Sequence, residues 1–488
     1  MMSPPSPLAR VSRALASAVA LLALSACVVG PYYKRPELTL PSDFKQASAA
    51  LALPAPQASL ARWWQGFGDP VLERIEAQVA SENLDLAQAA ARIEQAGAAE
   101  RRTASAILPV VEGSASQTHA KASLLDPATR PARDAPGFER DFNWRRADVQ
   151  AWWEIDLFGG ARRQREAADA ALEAAVEGGD ALRVSLTAEA ADAYLLLREA
   201  QQRRAVAERQ VAVASQELDL VDRRVREGIA APRELHASRA RLEELHAAIP
   251  QLLVDEQAQR ARLQVLTGDF ADAWRAELAI TAPVPLAPGV PADITPAQLL
   301  RRRPDVQAAE RLLAAANADV GAAISQYYPS VSLSGLFGVS SIVGARWLSG
   351  DAMEQQLGFG LRWRLFDFGR IDAQVAQARG RAAERLAAYR ETALRASAEV
   401  ELALTDLVQQ EVRAAALDRE IVELQQARDQ SAVAYSGGAV SLMDVLTNDR
   451  QLLAASEEQV HAHAAAARAA VACFRAFGGG WQATGEMH

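Results

Sequence analysis

The sequence of 488 residues predicts an α+β fold of two internal repeats, in which very long helices alternate with β-hairpins. Three observations predict it. Two proline-free stretches, about 160–227 and about 370–436, are dominated by Ala, Leu, Glu, Gln and Arg, the composition of long amphipathic helices. Runs of alternating apolar and polar residues precede each stretch, and period two argues strand. Residues at matching places in the two halves recur at fixed offsets, the mark of an internal repeat.

The chain opens on a targeting signal. Arg10 and Arg13 precede an apolar run from Ala14 to Ala26, the layout of a secretory signal peptide over residues 1–26. The run is too short to favour a spanning helix. It ends Leu24-Ser25-Ala26-Cys27, which resembles a bacterial lipobox and makes Cys27 the expected lipid-attachment residue. Val28 follows rather than Asp, which resembles sorting to the outer membrane. No later segment offers 18 uninterrupted apolar residues, so a membrane crossing would have to be a closed β-barrel.

The elements follow in order. Residues 27–70 form an extended lead-in that ends in the aromatic segment Trp63-Trp64-Gln65-Gly66-Phe67-Gly68-Asp69-Pro70. The first repeat, 71–282, opens with helical periodicity from Val71 to about Ala106, stopped by Pro109. A hairpin at about 108–158 follows. Its second strand alternates Ala147, Val149, Ala151, Trp153 and Ile155 with Asp148, Gln150, Trp152, Glu154 and Asp156. After Gly159-Gly160, a helix over about 160–227 would be on the order of 100 Å long at 1.5 Å per residue. Gly178-Gly179 is its weak point. Gly228 makes a turn into a helix over about 232–266 that contains Pro250, and a Pro-rich linker covers 283–300.

The second repeat, 301–475, restates the series. A helix begins at Arg301-Arg302-Arg303-Pro304-Asp305 and stops at Pro329. In the hairpin at about 329–368, Val331, Leu333, Gly335, Phe337 and Val339 alternate as one strand; Leu357, Phe359, Leu361, Trp363 and Leu365 alternate as the other. A helix over about 370–436, the turn Gly437-Gly438, a helix over about 441–475 and a tail at 476–488 complete it. Asp85, Ala96, Ser105 and Pro109 match Asp305, Ala316, Ser325 and Pro329 at an offset of 220. Trp153, Gly159, Gly228 and Glu234 match Trp363, Gly369, Gly438 and Asp444 at 210, as a shorter second hairpin loop would require.

Four strands per chain cannot close around a pore, and an open edge in lipid is forbidden. Oligomerisation follows, and a trimer would give about twelve strands, within the known range of outer-membrane barrels. Trp144, Trp152, Trp153, Trp347 and Trp363 lie on or beside the strands, as in an interfacial girdle. In the same trimer the Ala-rich helices would form a hollow cylinder.

Several local motifs now resemble a known family: Tyr33-Lys34-Arg35-Pro36-Glu37, Trp63-Trp64 through Asp69-Pro70, and Trp153-Glu154-Ile155-Asp156-Leu157-Phe158-Gly159. The most specific runs from Arg302-Arg303-Pro304-Asp305-Val306 through Ala316-Asn317-Ala318-Asp319-Val320-Gly321 to Tyr328-Pro329-Ser330. Leu446-Thr447 through Arg450-Gln451-Leu452 and Phe477-Gly478-Gly479-Gly480-Trp481 complete the set. The chain resembles a TolC-like outer-membrane efflux protein (outer membrane factor) of the lipoprotein branch serving resistance-nodulation-division multidrug pumps. That resemblance implies a homotrimer with a 12-stranded transmembrane β-barrel, a long periplasmic α-helical barrel and a mixed equatorial region. It also implies a periplasmic membrane-fusion adaptor and an inner-membrane pump as partners, with drugs or other toxic solutes as cargo.

The resemblance places a periplasmic gate near the glycine turns. Tyr435 stands where the family often has an aromatic gate residue. Glu234 and Asp444 occupy equivalent places, and threefold symmetry would gather six carboxylates that repel one another. Arg233, His236 and Arg239 could bridge them. Thr447 departs from the family, which often has an acidic residue there. Gly228, Gly437 and Gly438 read as turn-formers that an adaptor could contact.

Other functions fit less well. The net charge of −9 argues against nucleic acid. Cys27 and Cys473 cannot make a disulfide framework or a cysteine metal site. Gly66-Phe67-Gly68 and Gly358-Phe359-Gly360 lack the third glycine of a dinucleotide site. His461 and His463 project about 200° apart on a helix, so a shared metal is not expected. No nucleophile motif is present, and neither an enzyme activity nor a cofactor is expected. A duct for type I protein secretion and a lipid-anchored periplasmic coiled-coil scaffold remain as alternatives.

Overall fold

The computed structural model describes residues 28–39, 41–52, 58–127, 130–132, 134–136, 138–271, 273–291, 293–342 and 346–481. Helices α1 (Pro70–Glu82) and α2 (Leu84–Ser105) lead into strands β1 (Val110–Lys121) and β2 (Asp141–Ile155). Helices α3 (Gly160–Arg226) and α4 (Pro232–Leu266) follow. The second series comprises α5 (Pro296–Arg302), α6 (Pro304–Ser325), β3 (Ser330–Ser341), β4 (Met353–Arg362), α7 (Arg370–Ser436) and α8 (Leu442–Ala476). The repeat holds to the residue: α2 and α6 have 22 residues each, α3 and α7 have 67, and α4 and α8 have 35.

Three expected elements differ, the first being the helix read from Arg301, which is broken at the extended Arg303 into α5 and α6, with α5 reaching back into the linker expected at 283–300. The helix read from Val71 to Ala106 is two helices, broken at Asn83, whose backbone is extended. Asn83 Oδ1 accepts from the N–H groups of Asp85 and Leu86 at 2.9 and 3.0 Å, while its Nδ2 donates to the Leu266 carbonyl at 2.8 Å. One side chain therefore caps α2 and ties it to the end of α4. Strand β4 ends at Arg362, short of Trp363 and Leu365. Trp363 instead donates its indole N–H to the Tyr327 carbonyl at 3.0 Å, and its repeat mate Trp153 makes the same bond to Ile107 at 2.8 Å.

The chain divides into two compact units. Residues 28–36, 94–173 and 311–387 form the first. Its centre is an antiparallel sheet in the order β1-β2-β3-β4, with Val110 opposite Trp152, Ile155 opposite Val331 and Ser330 opposite Arg362. Among the described residues, only β2 and β3 have partners on both sides.

Residues 37–93, 174–310 and 388–481 form the second unit, a helical body with the main hydrophobic core. Trp63 is fully buried and stacks on Phe474 with ring centroids 5.3 Å apart. Asp69 caps α1 by accepting from Val71 and Leu72, and its other oxygen takes the Tyr194 hydroxyl proton bond at 2.6 Å. Burial and that carboxylate push the Tyr194 phenol above its ordinary pKa. At the start of α6, the buried Arg303 grips Asp305 with two bonds of 3.0 and 2.6 Å. It also reaches Glu399 on α7 at 2.8 Å and the Ala476 carbonyl of α8 at 3.0 Å. The glycines after α8 are required by their surroundings: a Cβ on Gly480 would sit 2.7 Å from the Thr187 hydroxyl.

Candidate functional site

The sheet register sorts its side chains onto two unlike faces. One carries Val111 and Ala115, then Ala147, Val149, Ala151, Trp153 and Ile155, then Val331, Leu333, Phe337 and Val339, then Met353, Leu357, Phe359 and Leu361, with Gln355 among them and Gln117, His119, Asn143 and Arg145 toward the β1–β2 turn. Leu357 is 82% exposed and Phe359 72%, so this part of the apolar face has no cover among the described residues. The other face carries Glu112, Ser114, Arg146, Asp148, Gln150, Glu154, Ser332, Ser334, Glu354 and Gln356. Arg146 pairs with Glu354 and lies 3.4 Å from Asp148, which also accepts from Ser114 and Gln150. Gly338 makes room for this cluster: a Cβ there would lie 2.5 Å from that of Asp148. Alternation of this kind suits a strand wall with lipid on one side and water on the other. The tryptophans divide accordingly. Trp153 is on the apolar face, whereas Trp144 and Trp152 are on the polar one, where period two places them.

The helix turns are built alike. Gly228 has φ +75° and Gly438 +74°. Around each, the next N–H reaches back five residues: Ile229 to the Arg224 carbonyl at 2.8 Å and Ala439 to the Ala434 carbonyl at 2.9 Å. Both are Schellman endings, which favour glycine at the left-handed position. Gly437 has no positive φ, and a Cβ there would make only ordinary contacts; its repeat mate is Glu227. Only the second glycine of that pair is demanded by the backbone.

Glu234 and Asp444 have a local task. Each is the third residue of its helix, and each carboxylate accepts from the backbone N–H that precedes the helix, Ala231 at 3.3 Å and Ser441 at 2.8 Å. Ser441 reciprocates through its hydroxyl, completing a capping box that Ala231 cannot make. The Ser441 side chain and backbone bonds hold the Asp444 carboxyl below its ordinary pKa. Both acids are exposed, as are Arg233, His236, Arg239 and Tyr435. Within the chain, no ion pair among the described residues joins Arg233, His236 or Arg239 to Glu234 or Asp444.

The sequence did not single out the bonds that fix these helix ends. Arg428 on α7 pairs with Asp449 on α8 at 2.8 Å, and Asn448 donates to Ser431 at 2.6 Å. Arg450 lies 3.9 Å from Glu217 on α3. Farther along, His461 meets Glu199 and His463 meets Asp418, each at 2.8 Å, so the two rings turn to different helices. Apart from the neutral Asn448–Ser431 bond, ionisable partners were visible in each case, but partners separated by 21 to 262 positions leave no local signal. Cys27 lies outside the described residues.

A hairpin sheet with one face for lipid and one for water, joined in sequence to two pairs of long helices, defines an outer-membrane channel protein rather than an enzyme. Comparison with known proteins gives the family: the chain belongs to the outer membrane efflux protein family, whose profile matches residues 77–269 and 295–479. It is 31% identical over 440 residues to a pyoverdine export outer membrane protein, OpmQ, of Pseudomonas putida, covering 90% of this chain and 91% of that one. It is 29% identical over 437 residues to nodulation protein T of Rhizobium leguminosarum bv. trifolii, covering 88% and 90%. Among solved structures, the outer-membrane channel OprN superposes with a TM-score of 0.80 at 32% identity, covering 93% of this chain and all of that one. The chain accordingly sits in the outer membrane with a large periplasmic part.

Proposed function

We propose that the protein is the outer-membrane duct of a tripartite efflux system, and that it works as a homotrimer. The observation that carries this reading is the four-stranded sheet, whose faces suit lipid and water but whose β1 and β4 edges each lack a second partner among the described residues. Three copies joined edge to edge would satisfy every backbone group and leave no edge in lipid. A periplasmic adaptor would meet the turns at Gly228, Gly437 and Gly438, and a resistance-nodulation-division pump in the inner membrane would supply the energy. Cys27 would carry the lipid. Drugs or other toxic solutes are the proposed cargo, and the OpmQ relative is itself named for export, of pyoverdine.

The proposed gate lies at the helix turns. Glu234 and Asp444 from three chains would form a ring of carboxylates, Tyr435 would narrow it, and Arg233 and His236 would offset its charge across protomers. Single-channel recording in planar bilayers tests the reading. Native protein should open rarely or with small conductance, and a Glu234→Gln, Tyr435→Ala, Asp444→Asn variant should give larger, steadier openings. Equal openings in both would refute these gate residues, and no conductance from a folded oligomer would refute the duct.

A further inference from the structure

The residues that follow Cys27 are held in a built site. Arg163, near the start of α3, has a side chain only 1% exposed. Its Nε donates to the Val29 carbonyl at 3.2 Å and its Nη2 to the Gly30 carbonyl at 3.4 Å, while Glu166 holds Nη1 at 2.7 Å. The guanidinium lies over the Tyr32 ring, 4.7 Å from its centroid. Val29 donates its N–H to the Phe158 carbonyl at 3.2 Å, and Asn317 on α6 donates to the Pro31 carbonyl at 3.1 Å.

Three glycines make the approach possible. Gly30 has φ +95°, and a Cβ there would lie 2.5 Å from the Gly321 Cα. A Cβ on Gly321 would meet the Arg163 side chain at 2.9 Å, and one on Gly159 would meet Val28 at 2.9 Å. Residues 28–32 are thus seated between the exit of the first hairpin, the start of α3 and the middle of α6, touching both repeats.

We infer that Arg163 is a positioning residue for the lipid-bearing end of the chain. Its fork, aimed at two successive carbonyls, holds residues 28–32 against the Phe158–Gly160 corner, where strand gives way to helix. The residues that follow the lipid-bearing position are thereby held at that corner rather than forming a free tether. This rests on lipidation at Cys27, which the test below separates from the clamp itself.

The test is timed chymotrypsin digestion of the purified full-length protein in detergent, with mass analysis of the released N-terminal peptide. Cleavage after Tyr32 or Tyr33 requires the flanking residues to leave the clamp. The native protein should resist, Arg163→Met should release the peptide at least about tenfold faster, and Arg163→Lys, with its charge but no fork, should fall between. An Arg198→Met control, which disturbs a buried arginine of the other unit, should leave this cleavage slow and guards against general loosening. Equal release from native protein and Arg163→Met, or equal acceleration by Arg198→Met, would overturn the inference. A released peptide without acyl mass, but with the same ordering of rates, would sink lipidation at Cys27 and leave the clamp standing.

Discussion

Glu76 on α1 is 1% exposed, and neither carboxyl oxygen has a hydrogen-bond partner among the described residues. It lies on the core side with Leu72, Ile75 and Val79, which are all fully buried. Burial alone pushes its pKa well above the ordinary value, so the folded chain favours the neutral acid. An unfolded carboxyl loses its proton near about 4.3. Between that pH and the folded value, the folded state holds one more proton than the unfolded state. Stability must therefore fall as pH rises through that window, by up to about 1.4 kcal/mol per pH unit. Glu76→Gln keeps the volume and removes the titration. The unfolding entropy of a chain this size is roughly 1 kcal/mol/K, so the melting gap in favour of the variant should widen by about 1.4 °C per pH unit. Tryptophan fluorescence during heating, at steps from about pH 5 to about pH 8, reads it directly. Parallel curves for the two proteins would refute the buried neutral acid. A variant that loses ground with rising pH would mean that Glu76 is ionised and paired.

Gly438→Ala places a Cβ at φ +74° and should cost about 1–2 kcal/mol, whereas Gly437→Ala should be nearly neutral; comparing melting midpoints of the two variants checks this. Arg303→Met would free the buried Ala476 carbonyl and release Asp305 and Glu399, whose carboxylates stay solvated, at a cost of about 1–3 kcal/mol, measurable as a lower denaturant midpoint. Trp63→Ala empties a fully buried site and removes the stack on Phe474, so it should cost about 3–5 kcal/mol by the same assay.

The parts of the fold that the sequence displayed are those set by local rules. Helical composition without proline marked α3 and α7, period two marked the strands, and the 220 and 210 offsets carried the repeat. The break at Asn83 was hidden because no proline or glycine marks it; a single amide does the work by bonding both to α2 and to Leu266. Glu76 reads as an ordinary charged residue unless its spacing from Leu72 and Val79 is weighed. The Gly30–Gly321 approach was invisible, since residues 291 positions apart share no pattern. The reading of Trp144, Trp152 and Trp153 as one girdle overlooked the register, which sets the first two on the face opposite the third. A girdle demands the lipid face, and the register alone decides which face a strand residue occupies.

The proposed gate would place two demands on the same carboxylates at the helix turns. A helix beginning needs an acceptor for its first N–H groups, and an acid at the third position meets that need while favouring the helix dipole. A gate needs fixed negative charge close to an axis. Asp444 and Glu234 meet the first, and in the proposed gate they would meet the second as well, because the bond to the preceding N–H holds the carboxylate at the turn instead of leaving it on a loose side chain. Alanine at either position would change charge and helix start together, so altered conductance could come from a frayed helix. Asparagine and glutamine keep an oxygen for the N–H and remove only the charge. Ser441 sharpens the contrast, since Asp444 is held from both sides and Glu234 from one. Charge at Asp444 is thus the better fixed of the two, and a ring built from both would owe its position chiefly to the second repeat.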